Sequence, residues 1–357
     1  MSKAVTLGGL KKVDFQKVVD GKNVDLYILT NKNGIEMSVT NYGAKIVSLY
    51  VPDRGGKLID IVLGHNSIGE YLSSKVRDFG AVCGRSANRI AKGRFMLEGK
   101  EYWLSINNAP NHLHGGFKAF FAVVWDAQQI DAQTVVLTYI SPDGEEGYPG
   151  TLTTQVTYKL TGDNALEINY KAQTDKTTIL NLTNHSFFNL SGAGNPYIGD
   201  HLLTINADTY LPTDNTNIPY GDPAPVAGTP MDFRTPHAIG ERIEEDFQQL
   251  IFGKGYDHNY VLNKNDNELS FCAKAVSPKT GIVMDVLTTE PGVQLYTGNW
   301  MTGEFVAKNG QRYPMRSAFC LETQHYPDSI NQPKYPTVVL RPGETFKSQT
   351  IFKFYTK

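Results

Sequence analysis

Cysteine is scarce in this 357-residue sequence: Cys83, Cys272 and Cys320 stand far apart, with no CxxC or other metal-type spacing. That excludes a disulfide framework and a zinc ribbon, and it fits a reducing compartment. An excess of one charge is missing too. With 34 basic and 36 acidic residues the net charge is -2, which leaves no footprint for nucleic acid or anionic membrane and points to a small, roughly neutral partner. Long apolar runs are absent as well. The longest, Ala119 to Trp125, is far too short to span a bilayer, and the opening MSKAVTLGGLKKV lacks the apolar region of a secretory signal. The expectation is a cytoplasmic protein, a monomer or weak homodimer. Three sequons, beginning at Asn181, Asn184 and Asn189, crowd into one predicted strand where a glycan would disrupt the fold, and they are read as coincidence.

The common catalytic signatures are missing. There is no Rossmann GxGxxG, Walker A loop, HExxH helix or EF-hand loop, and the nearest approach to a nucleophile elbow, Gly84-Arg-Ser-Ala-Asn, has Asn88 where glycine is required. His112 and His114 share a face if they lie in a strand, and could ligate a metal with His185 or His325. No carboxylate or cysteine stands at short ligand spacing beside them, so no metal and no cofactor are expected.

What is abundant is turn and strand chemistry. The 33 glycines, 18 prolines and many Tyr and Phe residues favour strands and turns over long helices. Alternating segments read as strands over Ile35–Val39, Lys45–Tyr50, Thr134–Tyr139, Thr153–Leu160, Ala165–Ala172, His201–Ile205, Ile282–Leu287 and Thr350–Tyr355. Polar Gly/Pro clusters separate them, and the pair flanking Gly162 is the clearest hairpin. Only Ser67–Ser73 and Pro236–Gln249 carry helical signals. No linker, repeat or low-complexity tract divides the chain, and Pro219 to Pro236 reads as a long ordered loop. The prediction is one all-β domain over residues 1–357, with sheets packed face to face.

Five segments hold polar residues that a plain core does not need. If Thr177–Leu190 is one strand, Asn181, Thr183, His185, Phe187 and Asn189 share a face, the mixture that lines a site for a polyhydroxylated ligand. A lone strand histidine is also commonly structural. In GRSANRIAKGR, Arg89 beside Asn88 offers a donor fork; in NNAPNHLHGGF, His114 precedes two glycines that allow close backbone approach. In GKGYDHNY, Asp257 could accept from sugar hydroxyls while a neighbouring tyrosine stacks on the ring. In SAFCLETQHYPD, Glu322 shares a face with the small Ala318 and Cys320, so apolar surroundings could raise its pKa into the range of a base. Each segment alone admits a surface, turn or ion-pair reading. Together they offer a carboxylate and imidazoles suited to proton transfer. Opening a cyclic hemiacetal needs such a pair, a Glu base and a His acid on opposite sides of the substrate.

These segments, with Asn41-Tyr-Gly-Ala, Glu290-Pro-Gly-Val-Gln and Tyr296-Thr-Gly-Asn, resemble the aldose 1-epimerase, or galactose mutarotase, family over nearly the whole length. The resemblance implies a β-supersandwich of large antiparallel twisted sheets with a sugar site in an open cleft. It implies Glu322 as general base, His185 as general acid, His114 assisting at the ring oxygen, and Arg89, Asn88, Asp257 and Gln294 as sugar contacts. Galactose and glucose are the implied substrates. A hexose 6-phosphate, another hemiacetal, or sugar binding without turnover are the alternatives; the first is disfavoured because Arg89 is the only basic residue placed at the sugar.

Overall fold

In the computed structural model, residues 4–265, 267–304 and 306–357 are described. The alternating segments are strands, and three antiparallel sheets account for most of them. A nine-stranded sheet runs in the order Asp126–Gln129, Thr134–Ser141, Leu152–Leu160, Ala165–Thr174, Phe346–Thr356, Ile282–Thr288, Ser270–Val276, Leu202–Ile205, His237–Ala238. The hairpin at Gly162 pairs Leu160 with Leu166. A five-stranded sheet orders Ala224–Pro225, Thr209–Tyr210, Asp257–Val261, Gly292–Tyr296 and Cys320–Gln324, and a four-stranded sheet spans Leu26–Thr30 to Leu58–Asp60.

The nine- and five-stranded sheets pack face to face, as alternation requires. Thr323 on the last strand of the smaller sheet meets Thr350 of the larger one, Oγ1 to Oγ1, at 2.6 Å, and the rings of Phe188 and Phe352 lie 5.1 Å apart. Burying such rings is the main favourable term in holding the layers together. One continuous cluster of buried apolar side chains extends from Leu29 to Phe354. Among the described residues, no helix is long and apolar enough to cross a membrane.

Two local readings need correction. Pro236–Gln249 is not a helix: His237–Ala238 joins the edge of the large sheet, turns follow, and a helix begins only at Gln248–Gly253. Ile239 and Ile243 are buried from irregular backbone, so their four-residue spacing served packing without helical periodicity. Ser67–Ser73 behaves as read, with Ser67 capping Ile68–Ser73 by accepting from the Glu70 N–H. Nor is Thr177–Leu190 a single strand. It breaks into Thr178–Ile179 and Thr183–His185, paired with different partners. The intervening and following backbone bonds to Arg85, Val338, Ile61 and Phe319 instead.

Candidate active site

Strand register brings the polar segments together. Thr183–His185 pairs with Ala81–Cys83, and just beyond it Phe188 exchanges both backbone hydrogen bonds with Phe319, at 2.7 and 2.9 Å. His185 therefore lies beside the strand that carries Glu322. On the other side, Gln294 sits directly opposite Glu322 and Asn259 opposite Gln294. Directly opposed residues point the same way and residues two apart share a face, so Cys320, Glu322, Gln294 and Asp257 all project from one face of the sheet.

That face floors a cleft of about 830 Å³ whose wall includes Glu322, His185, His114, Arg89, Asn88 and Asp257. Six of the seven residues named from the sequence meet there. Gln294 stands behind the wall, where its Nε2 donates to Asp257 Oδ1 at 2.7 Å. Asn217 donates to the other oxygen of Asp257 at 3.3 Å.

The centre is an imidazole against a carboxylate: His185 Nε2 lies 3.4 Å from Glu322 Oε1, with side chains 4% and 2% exposed. Burial pushes the Glu322 carboxyl up to about 7, against the pull of His185. Among the described residues its second oxygen has no hydrogen-bond partner, so a buried acceptor is left for a ligand proton. Burial would lower His185, but the carboxylates of Glu322 and Asp78 outweigh it and raise the group above its ordinary value. Cys320, on the face predicted for it, sets its Sγ 3.5 Å from His185 Nδ1.

His114 is prepared differently. It ends the short strand His112–Leu113 with a left-handed φ of +52°, and its Nδ1 accepts from the Asn88 N–H at 3.1 Å. Burial holds its pKa well below the usual value, helped by His185 and Arg89. The neutral ring must then carry its proton on Nε2, as a donor. Gly115 next to it has φ +94°, and a Cβ there would lie 1.9 Å from the Gly84 carbonyl oxygen. That close approach locks the two motifs together. Arg89 is aimed by Asn108, whose Oδ1 accepts from Nε at 3.0 Å, and its Nη1 is 3.8 Å from Asp257.

Several sequence expectations fail here for identifiable reasons. His112 and His114 do not share a face, because the chain turns left-handed between them. His112 binds the Tyr148 hydroxyl at 2.6 Å and the Ser105 carbonyl at 2.7 Å. His325 lies just past the strand Cys320–Gln324 and pairs with Glu290 at 2.6 Å. The four histidines that alternation alone would have allowed to share a metal are therefore not brought together. Two other donor sets come within 4.8 Å, Asp78/His114/His185 and His185/Cys320/Glu322, but neither is prepared for a cation. The lone pair of His114 Nδ1 is taken by Asn88, and burial raises the Cys320 thiol well above its ordinary pKa.

Asn181 and Asn189 also leave the polar face: Asn181 clasps the backbone of His325, and Asn189 binds the carbonyls of Asn195 and Ser317. Tyr256 and Tyr260 are fully buried, with hydroxyls on the Pro230 and Met231 carbonyls, so neither can stack on a ligand. The aromatic wall comes instead from Phe117, Phe187, Tyr296 and Trp300. Lys75, Arg77 and Asp78 also line the cleft and were missed. They precede the GRSANR motif by a few residues, with no alternation to mark them.

An antiparallel sandwich with a cleft that gathers a buried carboxylate and an imidazole, ringed by amides, an arginine and aromatics, holds the groups that proton transfer on a polyhydroxylated ligand requires. The chain belongs to the aldose 1-epimerase family, whose model matches residues 25–353. It is 49% identical over 320 residues to the galactose mutarotases of Rattus norvegicus and Homo sapiens, covering 90% of this chain and 91% of each relative. To the aldose 1-epimerase of Escherichia coli it is 35% identical, over 94% of this chain and 96% of that protein. Among solved structures, galactose 1-epimerase from Lactobacillus acidophilus superposes with a TM-score of 0.83 at 31% identity, covering 95% and 97% of the two chains. The aldose epimerase homologue from C. elegans gives 0.86 at 28%, covering 93% and 99%.

Proposed function

We propose that this chain interconverts the α and β anomers of free aldohexoses, galactose and glucose first among them, by acid–base ring opening and reclosure. Glu322 takes the proton of the anomeric hydroxyl while His185 gives its Nε2 proton to the ring oxygen, and the bond between that oxygen and C1 breaks. The open-chain aldehyde rotates about C1–C2. His185 then recovers its proton from the hydroxyl that closes the ring, and Glu322 returns its own to the new anomeric oxygen. Every atom and proton is accounted for, and the pair ends as it began.

The observation that carries the reading is the 3.4 Å contact between His185 Nε2 and Glu322 Oε1 inside the cleft. The two oxygens that exchange protons are both bonded to the anomeric carbon, so an acid and a base in one cleft can serve both. His114 supplies a further donor that is neutral, and Arg89, Asn88 and Asp257 suit sugar hydroxyls, with Gln294 orienting Asp257. A hexose 6-phosphate is disfavoured for a different reason than the sequence suggested. Lys75 and Arg77 join Arg89 in the wall, but Asp78, Asp257, Glu304 and Glu322 line the same cleft, so the described residues offer no concentration of positive charge to a phosphate.

Polarimetry of freshly dissolved α-D-glucose and α-D-galactose tests the proposal. The expected result is equilibration faster than the spontaneous rate and proportional to protein concentration; no acceleration with either sugar refutes it.

A further inference from the structure

Asp78 belongs to none of the motifs that carry the family resemblance, yet its Oδ2 lies 3.7 Å from His185 Nε2. The backbone that presents it is clamped to His185 itself. The Gly80 N–H donates to the His185 carbonyl at 3.0 Å, while the Gly80 carbonyl accepts from the Ile46 N–H at 3.0 Å and from the Asn184 amide at 3.1 Å. Gly80 has φ +69°, and a Cβ there would stand 2.0 Å from the Ile46 carbonyl oxygen, so only glycine permits the approach. Between them Phe79 is wholly buried, its ring 4.9 Å from that of Phe187 and T-shaped to it. Asp78 is thus aimed at the imidazole by packing and backbone bonds on both sides of the turn, while 26% of its side chain remains exposed to the cleft.

We propose that Asp78 is a positioning residue for the acid, holding the His185 imidazolium with its proton on Nε2 both before ring opening and during reclosure. The proposal rests on the acid role given to His185 above. Glu322 cannot do this alone. Once it has accepted the anomeric proton it is neutral, and the imidazole that must reclaim a proton from the sugar has lost its nearest countercharge. Asp78 takes no part in that transfer, so its Oδ2 stays beside Nε2 throughout.

The other groups facing His185 are accounted for. Glu322 and Cys320 come from the strand Cys320–Gln324, His114 follows His112–Leu113 with its ring 5.1 Å away, and the Tyr296 ring is 6.2 Å away. Asp257 contributes a weaker attraction from its own strand. Of these, only Glu322 and Asp78 place a carboxylate oxygen within 4 Å of Nε2, among the described residues.

The test uses the full-length chain and the variants Asp78→Asn and Asp78→Glu. NMR titration of the His185 ring, assigned with His185→Asn, should show its pKa lower by about one unit in Asp78→Asn, a unit charge near 4 Å discounted for partial exposure. The alkaline limb of kcat/KM should move down with it, giving a roughly tenfold loss above the limb and little loss at its acid side. Asp78→Glu should restore both. An unchanged His185 titration in Asp78→Asn overturns the proposal, and so does a rate lowered equally at every pH, which marks a merely structural role. Should the parent chain fail to accelerate mutarotation, the proposed function falls, while the NMR titration still judges the coupling of Asp78 to His185.

Discussion

Replacing Glu322 by Gln separates a catalytic carboxylate from a structural one. Gln keeps the volume and one acceptor oxygen but cannot take a proton at neutral pH. General-base catalysis contributes about 10²–10⁴-fold. The acid suffers as well, because at 3.4 Å Glu322 is the nearer of the two carboxylates that raise His185. Losing it lowers the charged fraction of the imidazole at pH 7, and the two effects together place the loss in kcat at about 10³–10⁴-fold. Binding should be spared, since Arg89 and Asp257 remain in the wall, and KM should change by less than roughly threefold. Stability points the same way. If the pair were an ion pair kept for folding, breaking it would leave an uncompensated buried charge and cost about 3–5 kcal/mol. A buried carboxylate raised to about 7 with an unpartnered oxygen already sits at an energetic disadvantage, so the neutral amide should leave the denaturation midpoint unchanged or higher. Polarimetry with the spontaneous rate subtracted, alongside urea denaturation, reads both quantities. A variant that keeps more than about a tenth of the parent kcat, or that loses several kcal/mol with its activity, would refute the reasoning.

His185→Asn removes the acid and the group that restrains the Glu322 pKa, so kcat should fall by at least about 10²-fold, with the acid limb of the pH profile moved upward; an unmoved limb contradicts the pairing. In the parent, the active form needs Glu322 ionised and His185 protonated. Activity should therefore fall below about pH 7 as Glu322 protonates, and fall again as pH rises through the raised His185 value. Because the two groups touch, both limbs belong to the pair, and a profile flat from pH 5 to 9 would exclude them. Arg89→Lys loses the fork held by Asn108 at 3.0 Å and should weaken kcat/KM by about 10–100-fold, chiefly through KM; a change confined to kcat would move Arg89 from binding to chemistry. Gly115→Ala forces a side chain onto the Gly84 carbonyl at φ +94°, and should cost about 1–3 kcal/mol or more in denaturant titration while displacing His114.

How far the sequence could be read depended on whether the deciding contacts were local. Period-2 alternation is a property of the chain itself, so it correctly put Cys320 and Glu322 on one face, and the Gly162 hairpin was legible from its turn. The same rule failed wherever a strand stopped early. It assigned His112 to the face of His114 because nothing in Asn-His-Leu-His announces the left-handed turn at His114. It also extended the polar face of His185 to Asn181 and Asn189, whose side chains bind backbone brought in from His325 and Ser317. Those partners are more than a hundred residues away, beyond any periodicity. The tyrosines of the Tyr-Asp-His-Asn motif were misread as a stacking platform for a related reason. A buried Tyr and a ligand-facing Tyr look alike until the hydroxyl partner is known, and here Pro230 and Met231 supply it.

The same distinction explains why Asp78 escaped notice although it stands as close to the acid as many named residues do. Motifs advertise themselves by unusual composition, and Asn-His, His-Gly-Gly and Glu-Thr-Gln are unusual. Arg77-Asp78 is an ordinary charged pair ahead of a buried phenylalanine, and its surface reading is the better one until Gly80 is seen to donate to the His185 carbonyl. Chemistry at this site thus divides into two kinds of residue. In the proposed reaction Glu322, His185 and His114 must be of one type because they would exchange or donate protons, and type is what a sequence displays. Asp78, Asn108 and Gln294 matter through aim, each fixing the orientation or charge of a neighbour, and aim arises only from register and packing. A substitution in the second group should therefore shift pH dependence or KM before it abolishes turnover, which is the reverse of the order expected for the first.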